Sequence, residues 1–85
     1  MASYSVLIKA SAAKELERIP DKPRAQIVRR IQALSDDPRP MGCEKLSGDE
    51  LYRIRQGDYR VVYAIADAEL TVLVVRVRHR RDVYR

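Results

Sequence analysis

The chain has 85 residues, with 17 Lys and Arg against 12 Asp and Glu, a formal charge of +5. Apolar residues are 46% and charged residues 34% of it, the balance of a globular chain rather than a disordered one, and the length suits a single small domain over residues 1–85. The longest uncharged apolar run, Leu70 to Val75, is far short of the ~18 residues that cross a bilayer. Met1-Ala2-Ser3-Tyr4 lacks the basic-then-apolar pattern of a signal peptide. One cysteine, Cys43, closes no internal disulfide, and with His79 as the one histidine a Cys/His metal cluster is excluded. These features imply a cytoplasmic, reduced protein with no membrane partner and no cofactor.

Tyr4-Ser5-Val6-Leu7-Ile8 is aromatic and β-branched and predicts a first strand. Ser11 is placed to cap a short helix running to Ile19, with Ala12, Leu16 and Ile19 on one stripe, and Pro20 ends it. Asp21 is placed to cap a second helix with Pro23 in its first turn. Ile27, Val28, Ile31 and Leu34 form its apolar stripe, and the two helices are expected to make an antiparallel hairpin.

After the proline-rich stop at 35–40 the period changes to two. A short strand is expected around Cys43 to Leu46. Longer strands follow over Leu51–Gln56, Tyr59–Ala66 and Leu70–His79, joined by tight turns at Gly57-Asp58 and Asp67-Ala68-Glu69. The order predicts a two-layer α+β fold, with a helix hairpin on one face of a mainly antiparallel sheet.

Charge is unevenly distributed. Residues 1–50 hold nine basic and eight acidic side chains, whereas residues 51–85 hold eight basic, all arginine, and four acidic. Strand alternation sorts these arginines. The sets Ile54, Val61/Tyr63/Ile65 and Leu73/Val75/Val77 are almost wholly apolar and are assigned to the face beneath the helices. Arg53, Arg55, Arg60, Arg76 and Arg78 then share the open face with Val72 and Val74, and Arg80 continues their parity. The nearest acids in this half, Asp58, Asp67, Glu69 and Asp82, fall in turns or past the strand end. So many like charges on one small sheet oppose folding, and their natural partner is a polyanion.

Guanidinium groups match phosphate oxygens in a planar fork and stack on bases. No helix looks like a reader of a DNA groove, so single-stranded or irregular RNA is the expected ligand. RNA brings its own nucleophile, the 2′-hydroxyl. A protein that aligns it with the phosphorus need only stabilise charge on the phosphoryl oxygens and protonate the leaving 5′-oxygen. Arginines serve the first task. The second needs an acid, either an arginine of perturbed pKa or His79, in the plainest reading a strand-end histidine but raised as a candidate by the arginines around it. Tyr84, in the polar tail with Arg81, is the tyrosine best placed to stack a base, whereas Tyr52, Tyr59 and Tyr63 read as core or rim.

The segments Lys45-Leu46-Ser47-Gly48, Leu51-Tyr52-Arg53-Ile54-Arg55-Gln56-Gly57-Asp58-Tyr59-Arg60-Val61-Val62-Tyr63 and Val77-Arg78-His79-Arg80-Arg81-Asp82-Val83-Tyr84 resemble the RelE branch of the RelE/ParE toxin superfamily. Ala13-Lys14-Glu15-Leu16 and the Leu34…Pro38…Gly42 spacing fit as well, so the resemblance spans nearly the whole chain. It implies a toxin of a type II toxin–antitoxin system that enters the ribosomal A site and cuts mRNA there without metal, through a 2′,3′-cyclic phosphate. It also implies a RelB-like antitoxin, acidic or amphipathic, that neutralises the toxin in a hetero-oligomer.

Position by position, the resemblance puts Arg53 and Arg55 at functional basic sites and Arg60 at the scissile phosphate. It puts Arg80 at the leaving group, Tyr84 against the substrate and Lys45 where RNA docks; Arg76, Arg78 and Arg81 add to the RNA-binding surface. Some members carry a lysine base where this chain has Arg55. An arginine, with a pKa above ~12, is a poor base, so the acceptor of the 2′-proton is left between His79, Tyr84 and no strong base at all. The competing readings are a ParE-like toxin that inhibits DNA gyrase and cuts nothing, and an inactive RNA-binding relative. Arg60, Arg80 and Tyr84, the basic and aromatic set of the nucleases, rank mRNA cleavage first.

Overall fold

The computed structural model describes residues 3–46 and 50–83, with the backbone alone at 82 and 83. Its elements are β1 (Ser5–Ile8), α1 (Ala10–Glu17), α2 (Asp21–Ala33), β2 (Glu44–Lys45), β3 (Leu51–Gln56), β4 (Tyr59–Ala66), β5 (Thr71–His79) and α3 (Arg80–Val83). The five strands form one sheet in the order β1-β5-β4-β3-β2. β1 runs parallel to β5, and every other pairing is antiparallel. This is the expected α+β architecture, with two helices over one face. No described helix is long and apolar enough to cross a membrane.

The helix starts depart from the sequence reading. α1 begins at Ala10 with Lys9 at its N-cap and no side-chain cap. The Lys9 N–H donates to Val74 O at 2.9 Å, so the β1–β5 ladder hands the chain directly to the helix and Ser11 is not needed as a cap. Ile19 lies beyond the helix, with its N–H on Leu16 O at 3.1 Å, yet it remains buried. Asp21 is the first helical residue, after Pro20 at the N-cap, and its carboxylate pairs with Arg24 one turn on. The β3–β4 turn follows expectation. Gln56 pairs with Tyr59 across a two-residue loop, and Gly57 supplies the positive φ, +59°, that such a hairpin requires. β5 starts one residue later than predicted, because Leu70 closes the preceding turn at φ +48°.

Ala12 and Leu16 of α1, Ile27 and Ile31 of α2, and Ile19 and Leu34 after them close onto Ile54, Val61, Tyr63, Ile65, Val72, Val74 and Val77 of the sheet. The β5 members correct the alternation argument. Val62 pairs with Arg76 but Tyr63 pairs with Val74, so Val75 has no partner on β4 and forms a bulge. A bulge adds one residue and reverses the parity beyond it. Val72 and Val74 are therefore buried, not open, and Leu73 is exposed on the far face with Val75 half-buried. Past the bulge Val77 is inside, and Arg76 and Arg78 return to the open face as predicted.

The segment between α2 and β2 is tied to the sheet through one polar cluster. Arg39 donates to both carboxylate oxygens of Asp67 at 3.2 and 2.9 Å and lies 5.1 Å from the centre of the Tyr52 ring. Tyr4 donates to the same carboxylate at 2.7 Å. Beneath them the buried Tyr63 hydroxyl donates to Pro38 O at 2.7 Å. The Arg39 hydrogen bonds, reinforced by Tyr4, hold the Asp67 carboxyl down at about 2. Burial raises the Tyr63 phenol well above its ordinary value.

Two outcomes are expected. A carboxyl depressed in the folded state contributes stability above its unfolded pKa of about 3.9 and loses it as pH falls toward the folded value. Denaturant unfolding between pH 4 and 2 should therefore show a shallower pH slope for Asp67→Asn than for the natural chain. Val74→Ser should cost about 3 kcal/mol, from lost apolar burial plus a buried hydroxyl, and Leu73→Ser about 1 kcal/mol or less. Urea titration gives both values, and the reverse order would contradict the bulge.

Candidate anion-binding site on the open face of the sheet

Residues paired across neighbouring strands share a face, so the strand register describes the open face rung by rung. The first rung is apolar: Leu51, Ala64, Leu73 and Leu7. The second is Glu44, Arg53, Val62 and Arg76. The third is Arg55, Arg60 and Arg78, on β3, β4 and β5. Arg60 stands at its centre and is only 9% exposed, the one charged residue in the described interior. Arg80, which opens α3, donates its backbone N–H to Asp58 O at 2.7 Å, and its side chain is exposed. Register puts Arg53, Arg55, Arg60, Arg76 and Arg78 on one face as expected, whereas Arg80 lies past the strand, in α3, and strand parity does not extend to it.

Of the acids near these arginines in sequence, Asp58 does approach one of them, and two further acids come from earlier in the chain. Glu44 of β2 lies on the same face, its Oε1 accepting from Arg53 Nη2 at 3.2 Å and lying 3.7 Å from Arg55 Nε. Glu15 of α1 reaches the sheet edge, where Oε2 accepts from Arg78 Nε at 3.0 Å and Oε1 from the Val77 N–H at 2.8 Å. Asp58 lies 3.7 Å from Arg80 Nε, whereas Asp67 belongs to the Arg39 cluster. Glu15 and Glu44 were missed in the sequence. The signal for Glu44 was its position in the short predicted strand, and for Glu15 its place beside the buried Ala12–Leu16 stripe. Among the described residues the balance still favours cations: strand register puts Arg53, Arg55, Arg60, Arg76 and Arg78 on this face with Glu44, and Glu15 reaches its edge. Arg53 Nε is buried and has no acceptor among the described residues.

Other candidates lie elsewhere. His79 pairs in register with Tyr59, on the parity that faces the helices, and its ring packs edge-on against Tyr59 at 5.2 Å. Its Nδ1 accepts the Arg81 N–H at 3.2 Å. The fold therefore does not bring His79 to the arginine rung. Lys45 pairs with Tyr52 and has helix-side parity on the edge strand, so it also stands apart. Arg81 is exposed in α3. Tyr84 lies outside the described residues. Tyr63 is buried, with Tyr52 stacked on it at 6.0 Å, and both have the core and rim places expected of them.

Three guanidinium groups presented from adjacent strands form a surface preset for an anion with several oxygens. The central one has little room to move, so little reorganisation is needed when charge develops on a bound phosphoryl group.

The chain matches, over residues 6–84, the family described as ParE toxin of type II toxin–antitoxin system, parDE. It is 39% identical to Toxin RelE of Mycobacterium tuberculosis, over 96% of this chain and 87% of that one. Among solved structures it superposes on the toxin–antitoxin complex RelBE2 of M. tuberculosis with a TM-score of 0.83, 29% identity and 93% of each chain covered. The archaeal RelE–RelB complex of Pyrococcus horikoshii gives a TM-score of 0.83 at 27% identity, covering 92% of this chain and 96% of that one.

An anion held by the rung stabilises the folded state by RT ln(1 + [L]/Kd), roughly 2.7 kcal/mol at a concentration a hundred times Kd. Calorimetry should show a larger rise in Tm with inorganic phosphate than with sodium chloride of equal ionic strength. Arg55→Gln should remove part of that difference. Equal rises with the two salts would mean general screening and no site.

Proposed function

This chain belongs to the RelE/ParE superfamily of type II toxin–antitoxin toxins, and from that premise we propose that it is a ribosome-dependent, metal-independent endoribonuclease that cuts mRNA in the A site. The observation that carries the reading is the Arg55–Arg60–Arg78 rung with Arg60 buried at its centre. In the reaction the substrate's 2′-oxygen bonds to the adjacent phosphorus and the bond to the 5′-oxygen breaks. The products are a 2′,3′-cyclic phosphate and a 5′-hydroxyl. Arg60 and Arg55 hold the phosphoryl oxygens as they gain charge. Arg80, exposed at the start of α3, serves the leaving oxygen, and Arg53 and Arg76 guide the RNA backbone. Tyr84 stacks on or orients the substrate, a role taken from the family resemblance. His79 is given no part, because its ring is packed on Tyr59 toward the helices. Positioning and electrostatic stabilisation supply most of the rate, and the ribosome presents the strand in line.

The neutralising partner is a RelB-like antitoxin. The relatives of known structure named above are RelE–RelB complexes. The surface it covers here includes the arginine rungs and the apolar rung, with Leu7 and Leu73 exposed beside each other on β1 and β5. Val72 and Val74, which the alternation placed in that surface, lie in the core and contribute nothing to it.

The second reading, gyrase inhibition without cleavage, rests on the ParE description of the matching family. A translation reaction on purified ribosomes separates the two. The nuclease reading expects new mRNA 3′ ends within A-site codons, no cleavage of free RNA, and a loss of about 100-fold or more on Arg80→Ala, which removes an exposed side chain. Intact mRNA together with inhibited supercoiling by gyrase would establish the alternative. Tyr84→Ala is expected to slow cleavage more than Tyr84→Phe, because stacking survives loss of the hydroxyl but not of the ring; equal losses would assign the hydroxyl a role instead.

A further inference from the structure

β1 covers one edge of β5 only as far as its last register pair, Ile8 with Val74. Beyond Val74 no described strand pairs with that edge of β5. The bulge at Val75 turns the strand, and the backbone N–H of Val77 and the side chain of Arg78 come within reach of α1. Glu15 fills this gap. One carboxylate oxygen accepts the Val77 N–H at 2.8 Å and the other accepts Arg78 Nε–H at 3.0 Å. Its side chain is 24% exposed and that of Arg78 38%, so the bond forms in a partly sheltered site.

The geometry of this contact differs from a fork-to-fork salt bridge. Nε of Arg78 donates to Glu15, and neither Nη group donates a hydrogen bond to any described residue. An unbound arginine side chain carries about 2 kcal/mol of rotamer entropy, which an anion must overcome in ordering it. A charge-assisted bond at Nε orders the guanidinium beforehand and leaves its outer pair of N–H donors for a second anion. Arg78 is also the β5 member of the rung centred on Arg60. A like-charged neighbour would otherwise drive the flexible Arg78 away from that centre.

We propose that Glu15 is a positioning residue. From outside the sheet it pins Arg78 through Nε, so that the Nη pair meets the phosphoryl oxygens held by Arg60. The assignment rests on the nuclease reading above. It goes beyond that reading by bringing α1 into the site and giving a carboxylate a favourable role in an anion-binding surface.

The test is a double-mutant cycle of Glu15→Ala and Arg78→Ala, read as kcat and KM for ribosome-dependent cleavage, with Tm measured for each protein. Glu15→Ala is expected to lower kcat about 10- to 100-fold. KM should change less than about threefold, since the ribosome and the other arginines hold the substrate. In the Arg78→Ala background Glu15→Ala should change kcat by less than about twofold, because its target is gone. Glu15→Gln keeps an acceptor for the Val77 N–H; it should recover most of the Tm lost in Glu15→Ala and only part of the kcat. An NMR readout does not depend on activity: Arg78 Nε–H should give a slowly exchanging signal in the natural chain that disappears in Glu15→Ala.

Losses that multiply in the double variant would show a structural role through Val77 and overturn the proposal. So would wild-type kcat in Glu15→Ala, or a higher kcat, which would mark Glu15 as a competitor of the substrate anion. A natural protein that keeps the Arg78 signal but leaves mRNA intact on ribosomes would instead overturn the nuclease reading and, with it, any role of Glu15 in cleavage.

Discussion

Three arginines directly opposite one another on adjacent strands define the physical problem this molecule solves. Arg55, Arg60 and Arg78 repel, and the middle one is almost withdrawn from solvent. Like charges facing across a sheet destabilise it, and a shielded charge costs more than an exposed one. The fold limits this cost at the ends of the row. Glu44 approaches Arg55 from the edge strand, and Glu15 takes Arg78 from the first helix. The two carboxylates brace the row at its ends, on Arg55 and Arg78. The remaining excess of positive charge is what a phosphate would satisfy.

The stability needed to hold such a row comes from the other face. Val61, Tyr63, Ile54, Val72, Val74 and Val77 close against Ile27, Ile31, Leu16 and Ala12. The segment that joins α2 to the sheet is held by Arg39 on Asp67 and by the buried hydroxyl of Tyr63 on Pro38. One sheet thus carries a compact apolar layer and a charged working surface. The bulge at Val75 is the joint between them. It lets β5 give Val72 and Val74 to the core where it lies beside β1, then Arg76 and Arg78 to the open face beyond it.

Family membership and surface chemistry support the proposed activity from different directions. The superfamily joins toxins named for RelE with a family described by ParE, so membership alone names a toxin and not its target. The arginine rung favours a polyanion handled on the sheet. Acid–base assistance has few candidates among the described residues, since His79 is turned toward Tyr59 and position 55 is an arginine, a poor base. The proposed chemistry therefore leans on alignment and charge stabilisation, with the substrate supplying its own nucleophile.

Much of this was legible without coordinates. The period-two pattern from Leu51 onward, the Gly57-Asp58 turn and the apolar helix stripes determine the elements, and parity alone puts Arg53, Arg55 and Arg60 on one side, because those runs alternate without interruption. The inner and outer residues of β5 were decided by tertiary structure. Its run of valines fits either face, and only pairing with Val62, Tyr63 and β1 determines where the extra residue bulges. The starts of α1 and α2 belong to the same class, since the β1–β5 ladder satisfies Lys9 where a local cap would otherwise be needed. The placements of Glu15, Glu44 and His79 do too. Contacts between residues 62 or 63 positions apart leave no local trace in a sequence, and a histidine near arginines in the chain can still face away from them in the sheet.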